Sequence, residues 1–109
     1  MDVVTAISGS GPAYFFLLIE ALESAGIASG LPASTARRLA VETARGAGLM
    51  AAESGEAPAV LREQVTSRGG TTEAALQVLE AAAVRDTFRN AVAAAARRSA
   101  QLADEFGST

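Results

Sequence analysis

Apolar positions fall in blocks separated by glycine, proline and serine, and within each block they repeat at helical spacing. From Ala13 to Ile27 only Glu20, Glu23 and Ser24 are clearly polar, and they gather on one side. A helix here is therefore apolar around most of its circumference and calls for burial on more than one side. Ser10-Gly11-Pro12 supplies its start, with Ser10 able to cap and Pro12 suited to the first turn; Gly30-Leu31-Pro32 stops it near Ser29. A second helix is predicted from about Ser34 to Glu53, ending at Ser54-Gly55. Pro58 opens a short third helix to about Thr66, Ser67-Arg68-Gly69-Gly70-Thr71 forms a loop, and Thr72 starts a fourth helix. In the last helix Phe88, Val92, Ala95, Ser99, Leu102 and Phe106 stand alternately four and three residues apart on one face. Gly107-Ser108-Thr109 is expected to fray. The chain has no internal repeat and no linker.

Composition sharpens this pattern into a class. Alanine takes 26 of the 109 positions and β-branched residues are sparse, so the expectation is all-α, with about five helices in one domain over residues 1–109. Only 25 residues are Leu, Ile, Val or Phe, a modest core for such a domain. Surplus apolar surface on Phe15, Phe16, Leu18 and Ile19 then points to a subunit interface, the alternative being the central helix of a monomeric bundle. The absence of Cys and His removes disulfides, thiolate nucleophiles and the commonest general base and metal ligand, so no metal site is expected. All nine cations are Arg, which leaves no lysine for a Schiff base or a phosphate loop. A net charge of −3 argues against sequence-independent binding of nucleic acid. The longest dense apolar run, Ala13 to Ile19, is too short for a bilayer, and no basic residue precedes it; a cytoplasmic protein with no membrane partner is the default.

Two glycine pairs, Gly9-Ser10-Gly11 and Gly46-Ala47-Gly48, begin like a dinucleotide fingerprint. Both fail, because the third glycine falls at Tyr14 or Ala51 and no strand pattern precedes either. The stretch Thr66-Ser67-Arg68-Gly69-Gly70-Thr71-Thr72 is richer. Its two glycines let backbone approach a ligand closely, and three hydroxyls with the free N–H groups of the following helix converge as donors, an arrangement suited to a small carboxylate. Ordinary capping by Thr71 or Thr72, with Gly69-Gly70 as a turn, is the simpler explanation on physics alone. Glu20 with Glu23, and Glu53 with Glu56, lack a third convergent ligand and are read as wet faces. Arg37-Arg38 and Arg97-Arg98 are read as surface cations.

Taken together, Ile7-Ser8-Gly9-Ser10-Gly11-Pro12-Ala13-Tyr14 and Val65-Thr66-Ser67-Arg68-Gly69-Gly70-Thr71-Thr72 resemble the C-terminal domain of pyrroline-5-carboxylate reductases. Gly30-Leu31-Pro32 and Glu53-Ser54-Gly55 extend the likeness from about Asp2 to Leu102. The resemblance implies an interlocking dimerisation bundle like the C-terminal domain of 6-phosphogluconate dehydrogenase. It implies a homodimer, or an oligomer of dimers, in which each active site forms where a separate NADP- or NAD-holding domain meets the helical one. The reaction implied is hydride transfer to the imine carbon of 1-pyrroline-5-carboxylate, giving L-proline, the last step of proline biosynthesis. By the same resemblance Ser67, Gly69, Gly70, Thr71 and Thr72 hold the substrate. Thr72 has the catalytic role of a hydrogen bond to the ring nitrogen, and Ser10, Gly11 and Pro12 border the cofactor.

The chain departs from the family at two places. Arg68 stands where proline is usual, which implies a less rigid loop. Ala82-Ala83-Val84 follows Glu80 where a Gly-Gly-Phe break is usual, so the fourth and fifth helices are free to run on as one. Met1 falls where the domain boundary is expected, so the cofactor domain is expected to be absent and the isolated chain inactive. Two rivals remain at this level: a non-catalytic helical oligomerisation module, and another reductase that pairs a nucleotide-binding with a helical domain.

Overall fold

The computed structural model describes residues 1–107, and every regular element among them is helical. Three α-helical residues, Asp2–Val4, pass directly into a π-helical turn, Thr5–Gly9. Helices α1 (Gly11–Ala28), α2 (Ala33–Glu53), α3 (Pro58–Gln64), α4 (Thr71–Ala81) and α5 (Val84–Gly107) follow. The all-α expectation holds. Helix α5 carries through Gly107, and the expected fraying of Ser108 and Thr109 lies outside the described residues. The chain divides into two compact units, Phe15–Ala74 and Met1–Tyr14 with Ala75 onward.

In the unit Phe15–Ala74, α1 stops as its sequence predicts. Gly30 takes φ +106°, and the Leu31 and Gly30 amides turn back to the carbonyls of Gly26 and Ile27, both at 3.0 Å. This doubled bond is a helix-ending motif that a left-handed glycine makes possible. Pro32 then leads into α2, which lies close against α1: a Cβ on Gly26 would be 3.2 Å from that of Ala36. Ala36 and Ala40 are buried along this seam. Arg37 joins it by an ion pair to Glu23 at 3.1 Å, and the hydrogen bond to and charge of Glu23 raise the guanidinium above its ordinary pKa. Glu23, read as part of a wet face, is instead largely covered.

In the other unit the N-terminal segment packs along α5, fastened where Ser99 Oγ donates to Asp2 Oδ1 at 2.8 Å. Sequence pattern placed a helix start at Ser10. The α-helix does begin there, at Gly11, but the chain before it is helical as well, and Ser10 joins the two with φ −82° and ψ −22°. What happens there is a change of register: the Ser10 amide reaches back five residues to the Thr5 carbonyl at 3.0 Å, not four to Ala6. Pro12 has no N–H to continue the α-helical ladder upstream, which gives the widened turn its reason. The carbonyl of the fully buried Ala6 is met by the Tyr14 hydroxyl at 2.7 Å. The Tyr14 ring in turn meets Phe88 edge to face at 6.5 Å.

The junction after α4 keeps the fourth and fifth helices apart, although Ala82-Ala83-Val84 left them free to run on as one. Ala83 adopts φ +59°, in the left-handed region, and α5 begins at Val84. Arg85 Nε donates to both carboxylate oxygens of Glu80, at 2.9 and 3.0 Å. Residues five apart on a straight α-helix point about 140° away from each other at 3.6 residues per turn, so this pair exists only because the helix is broken.

Very little of the chain is buried. Among the described residues the buried apolar ones are Ala6, Ala36 and Ala40, while Phe15, Phe16 and Leu17 are each more than 60% exposed. Helix α1 thus leaves most of its large apolar side chains exposed in this chain. Together with the preceding segment it forms a 27-residue helical stretch, Asp2–Ala28, long and apolar enough to cross a membrane by length and composition. The short run Ala13 to Ile19 concealed this because a separate helical segment, Asp2 to Gly9, precedes α1.

Candidate functional site

The loop singled out from sequence is built on the end of α3 and the start of α4. Helix α3 ends at Gln64, two residues before the expected Thr66, and the Thr66 hydroxyl folds back onto the Arg62 carbonyl. The chain then tightens: the Gly70 amide donates to the Ser67 carbonyl at 3.0 Å, and Ser67 Oγ lies over the Gly70 Cα. A Cβ at Gly70 would collide with that hydroxyl and stand 3.2 Å from the Ser67 carbonyl oxygen, so a side chain there displaces Ser67 from this close approach. Gly70 precedes Thr71, the first residue of α4, and its carbonyl accepts from Ala74 at 3.2 Å.

Ser67, Gly69, Gly70, Thr71 and Thr72 are thus gathered within one turn of the N-terminus of an 11-residue helix. Ser67 and Thr71 are exposed, and Thr72 is half-buried. The first amides of a helix have no carbonyl within it to bond, and the helix dipole adds positive potential there, so the chemistry available is capture of a small anion. Arg68 is exposed on the same loop. The capping explanation predicted Thr71 or Thr72 as the cap. Instead Glu73 reaches back, with Oε1 accepting from the Gly69 amide at 3.1 Å.

Ser10, Gly11 and Pro12 lie in the junction between the π-helical turn and α1, with Gly11 buried, Ser10 half-buried and Pro12 exposed. Gly11 has open space where a Cβ would be, so no tight backbone cradle forms around it. Among the described residues no three His, Cys, Asp or Glu side chains converge as a metal site. Sequence reasoning missed two residues that hold these segments, Tyr14 and Glu73. The signal for Glu73 was present, an acidic side chain in the first turn of a helix.

An apolar groove runs along the exposed side of α1 and α2, lined by Phe15, Leu18, Ala44, Ala47, Gly48 and Ala51. Small residues along α2 let another helix approach closely, and the aromatic and Leu side chains supply apolar area. The family model for pyrroline-5-carboxylate reductase dimerisation matches residues 1–102. The chain belongs to this family. Pyrroline-5-carboxylate reductases of Arabidopsis thaliana and Pseudomonas aeruginosa are 52% and 50% identical to it, over 93% and 98% of its length. The match occupies only 37% and 39% of those relatives, so the chain spans well under half of each. Among solved structures, a Coxiella burnetii pyrroline-5-carboxylate reductase superposes with a TM-score of 0.90 at 46% identity, covering 93% of this chain and 37% of that one. A Plasmodium falciparum pyrroline carboxylate reductase with NADP bound superposes with a TM-score of 0.87 at 39% identity, covering 91% and 40%.

Proposed function

We propose that this chain is the dimerisation and substrate-binding part of a pyrroline-5-carboxylate reductase, acting as one helical domain in a cytoplasmic homodimer. The reaction is NAD(P)H-dependent reduction of 1-pyrroline-5-carboxylate to L-proline. The observation that carries this reading is the junction of Ser67, Gly70, Thr71 and Thr72 at the start of α4, in a chain of this family. Dimerisation is supported by the match to the dimerisation family and by the exposed apolar face of α1, which a second copy is free to cover.

The residues present do not fit a whole dinucleotide. No strand precedes a glycine-rich turn among the described residues, and Pro12 removes one of the amides a pyrophosphate needs. Ser10, Gly11 and Pro12 can do no more than border one end of NADP or NAD. Hydride chemistry is the cofactor's; the residues of this chain bind and orient. Ser67 Oγ and the Thr71 and Thr72 amides hold the substrate carboxylate, which needs neither Lys nor His. The Thr72 hydroxyl donates a hydrogen bond to the ring nitrogen, and as a very weak acid it orients that nitrogen rather than supplying its proton.

The test joins residues 1–109 to the N-terminal part of the Pseudomonas aeruginosa reductase, in place of the segment they match. The joined protein reduces 1-pyrroline-5-carboxylate with NADPH, and the chain alone does not. A folded, dimeric but inactive fusion would count against the proposal, and turnover by the chain alone would remove its claim of inactivity. Loss of activity in Thr72→Ala at unchanged stability separates this function from a purely structural helical module.

A further inference from the structure

Glu73 is the one side chain that ties the candidate loop to the helix it precedes, through Oε1 and the Gly69 amide at 3.1 Å. An acidic residue at the third helical position commonly reaches back to the amide of the capping residue. Here that amide, on Gly70, is already engaged with the Ser67 carbonyl at 3.0 Å. The carboxylate therefore reaches one residue further out, to Gly69, whose φ of +75° turns the chain into the loop. Both glycine amides are thereby paired within the loop. The donors left for a ligand are Ser67 Oγ and the first amides of α4.

Resting on the reading of this loop as the substrate-carboxylate site, we propose that Glu73 is a positioning residue. It acts as a brace that fixes Gly69, and through it Ser67 and Thr71, without touching the substrate. The brace has an electrostatic cost, because its negative charge stands near the place where an anion binds. Geometry and charge therefore act in opposite directions, and two substitutions separate them. Glu73→Ala removes both. Glu73→Gln keeps an acceptor oxygen for the Gly69 amide and removes the charge.

Backbone amide exchange on the full chain reads the brace directly. In Glu73→Ala the Gly69 amide exchanges about tenfold faster, as loss of one hydrogen bond allows, while the Gly26–Ala40 seam is unchanged; Glu73→Gln restores protection. Unchanged exchange at Gly69 in Glu73→Ala would overturn the proposal. In the active fusion, Glu73→Ala raises KM for 1-pyrroline-5-carboxylate severalfold with kcat and the KM for NADPH nearly unchanged, and Glu73→Gln leaves that KM at or below the starting value. Equal changes in both KM values, or a KM for Glu73→Gln as high as for Glu73→Ala, would also overturn it. Because amide exchange needs no substrate, an inactive fusion removes the substrate reading while the brace is still decided.

Discussion

Replacing Ala83 with glycine should stabilise the protein, although the same change inside a helix weakens one. Ala83 sits at φ +59° between α4 and α5. Holding a residue that carries a Cβ in the left-handed region costs about 1–2 kcal/mol. Glycine removes that cost but loosens the unfolded chain by about 0.4–1 kcal/mol, leaving a net gain centred on ~0.8 kcal/mol within a range of about 0–1.6 kcal/mol. In a domain of this size that raises the melting midpoint by about 2–5 °C. Had residues 71–107 formed one continuous helix, glycine at its middle would cost about 1 kcal/mol instead. The sign of the change therefore reports the broken junction. Thermal unfolding of Ala83→Gly, followed by far-ultraviolet circular dichroism at matched chain concentration, measures it; a lowered midpoint would refute the reasoning. Matching matters because a dimer's midpoint moves with concentration.

Two further substitutions probe the neighbouring segments. Tyr14→Phe strands the carbonyl of fully buried Ala6 and should cost about 1–3 kcal/mol in chemical unfolding, whereas a change under about 0.5 kcal/mol would mean the hydroxyl bond is dispensable. Gly70→Ala forces Ser67 out of its place, so amide exchange should quicken through residues 67–72 while the packing of α1 on α2 persists; an unaltered loop would contradict the close approach.

Much of this architecture was legible because particular residues act locally. Gly30 can take a left-handed conformation, and Pro58 can begin a helix but not continue one, so the ends of α1 and the start of α3 were placed within a residue or two. The candidate loop was legible for the same reason, since its two glycines and three hydroxyls carry their conformational and chemical meaning with them. The helix through residues 2–9 was hidden because Ser8-Gly9-Ser10-Gly11 has the composition of a loop, and a π-helical turn breaks the spacing by which helices are recognised. The break at Ala83 ran against local preference altogether. Alanine propagates a helix, and here the chain context imposes a conformation that it resists. Glu73 was missed because its partner lies one residue beyond the usual cap.

As proposed above, a second copy of the chain covers the apolar face of α1. Light scattering across a dilution series tests it most directly. The account predicts a particle of twice the 11.0 kDa chain mass, or an even multiple of it, persisting on dilution. A stable monomer at every concentration would contradict it, leaving Phe15, Phe16 and Leu17 in water with no partner to explain them.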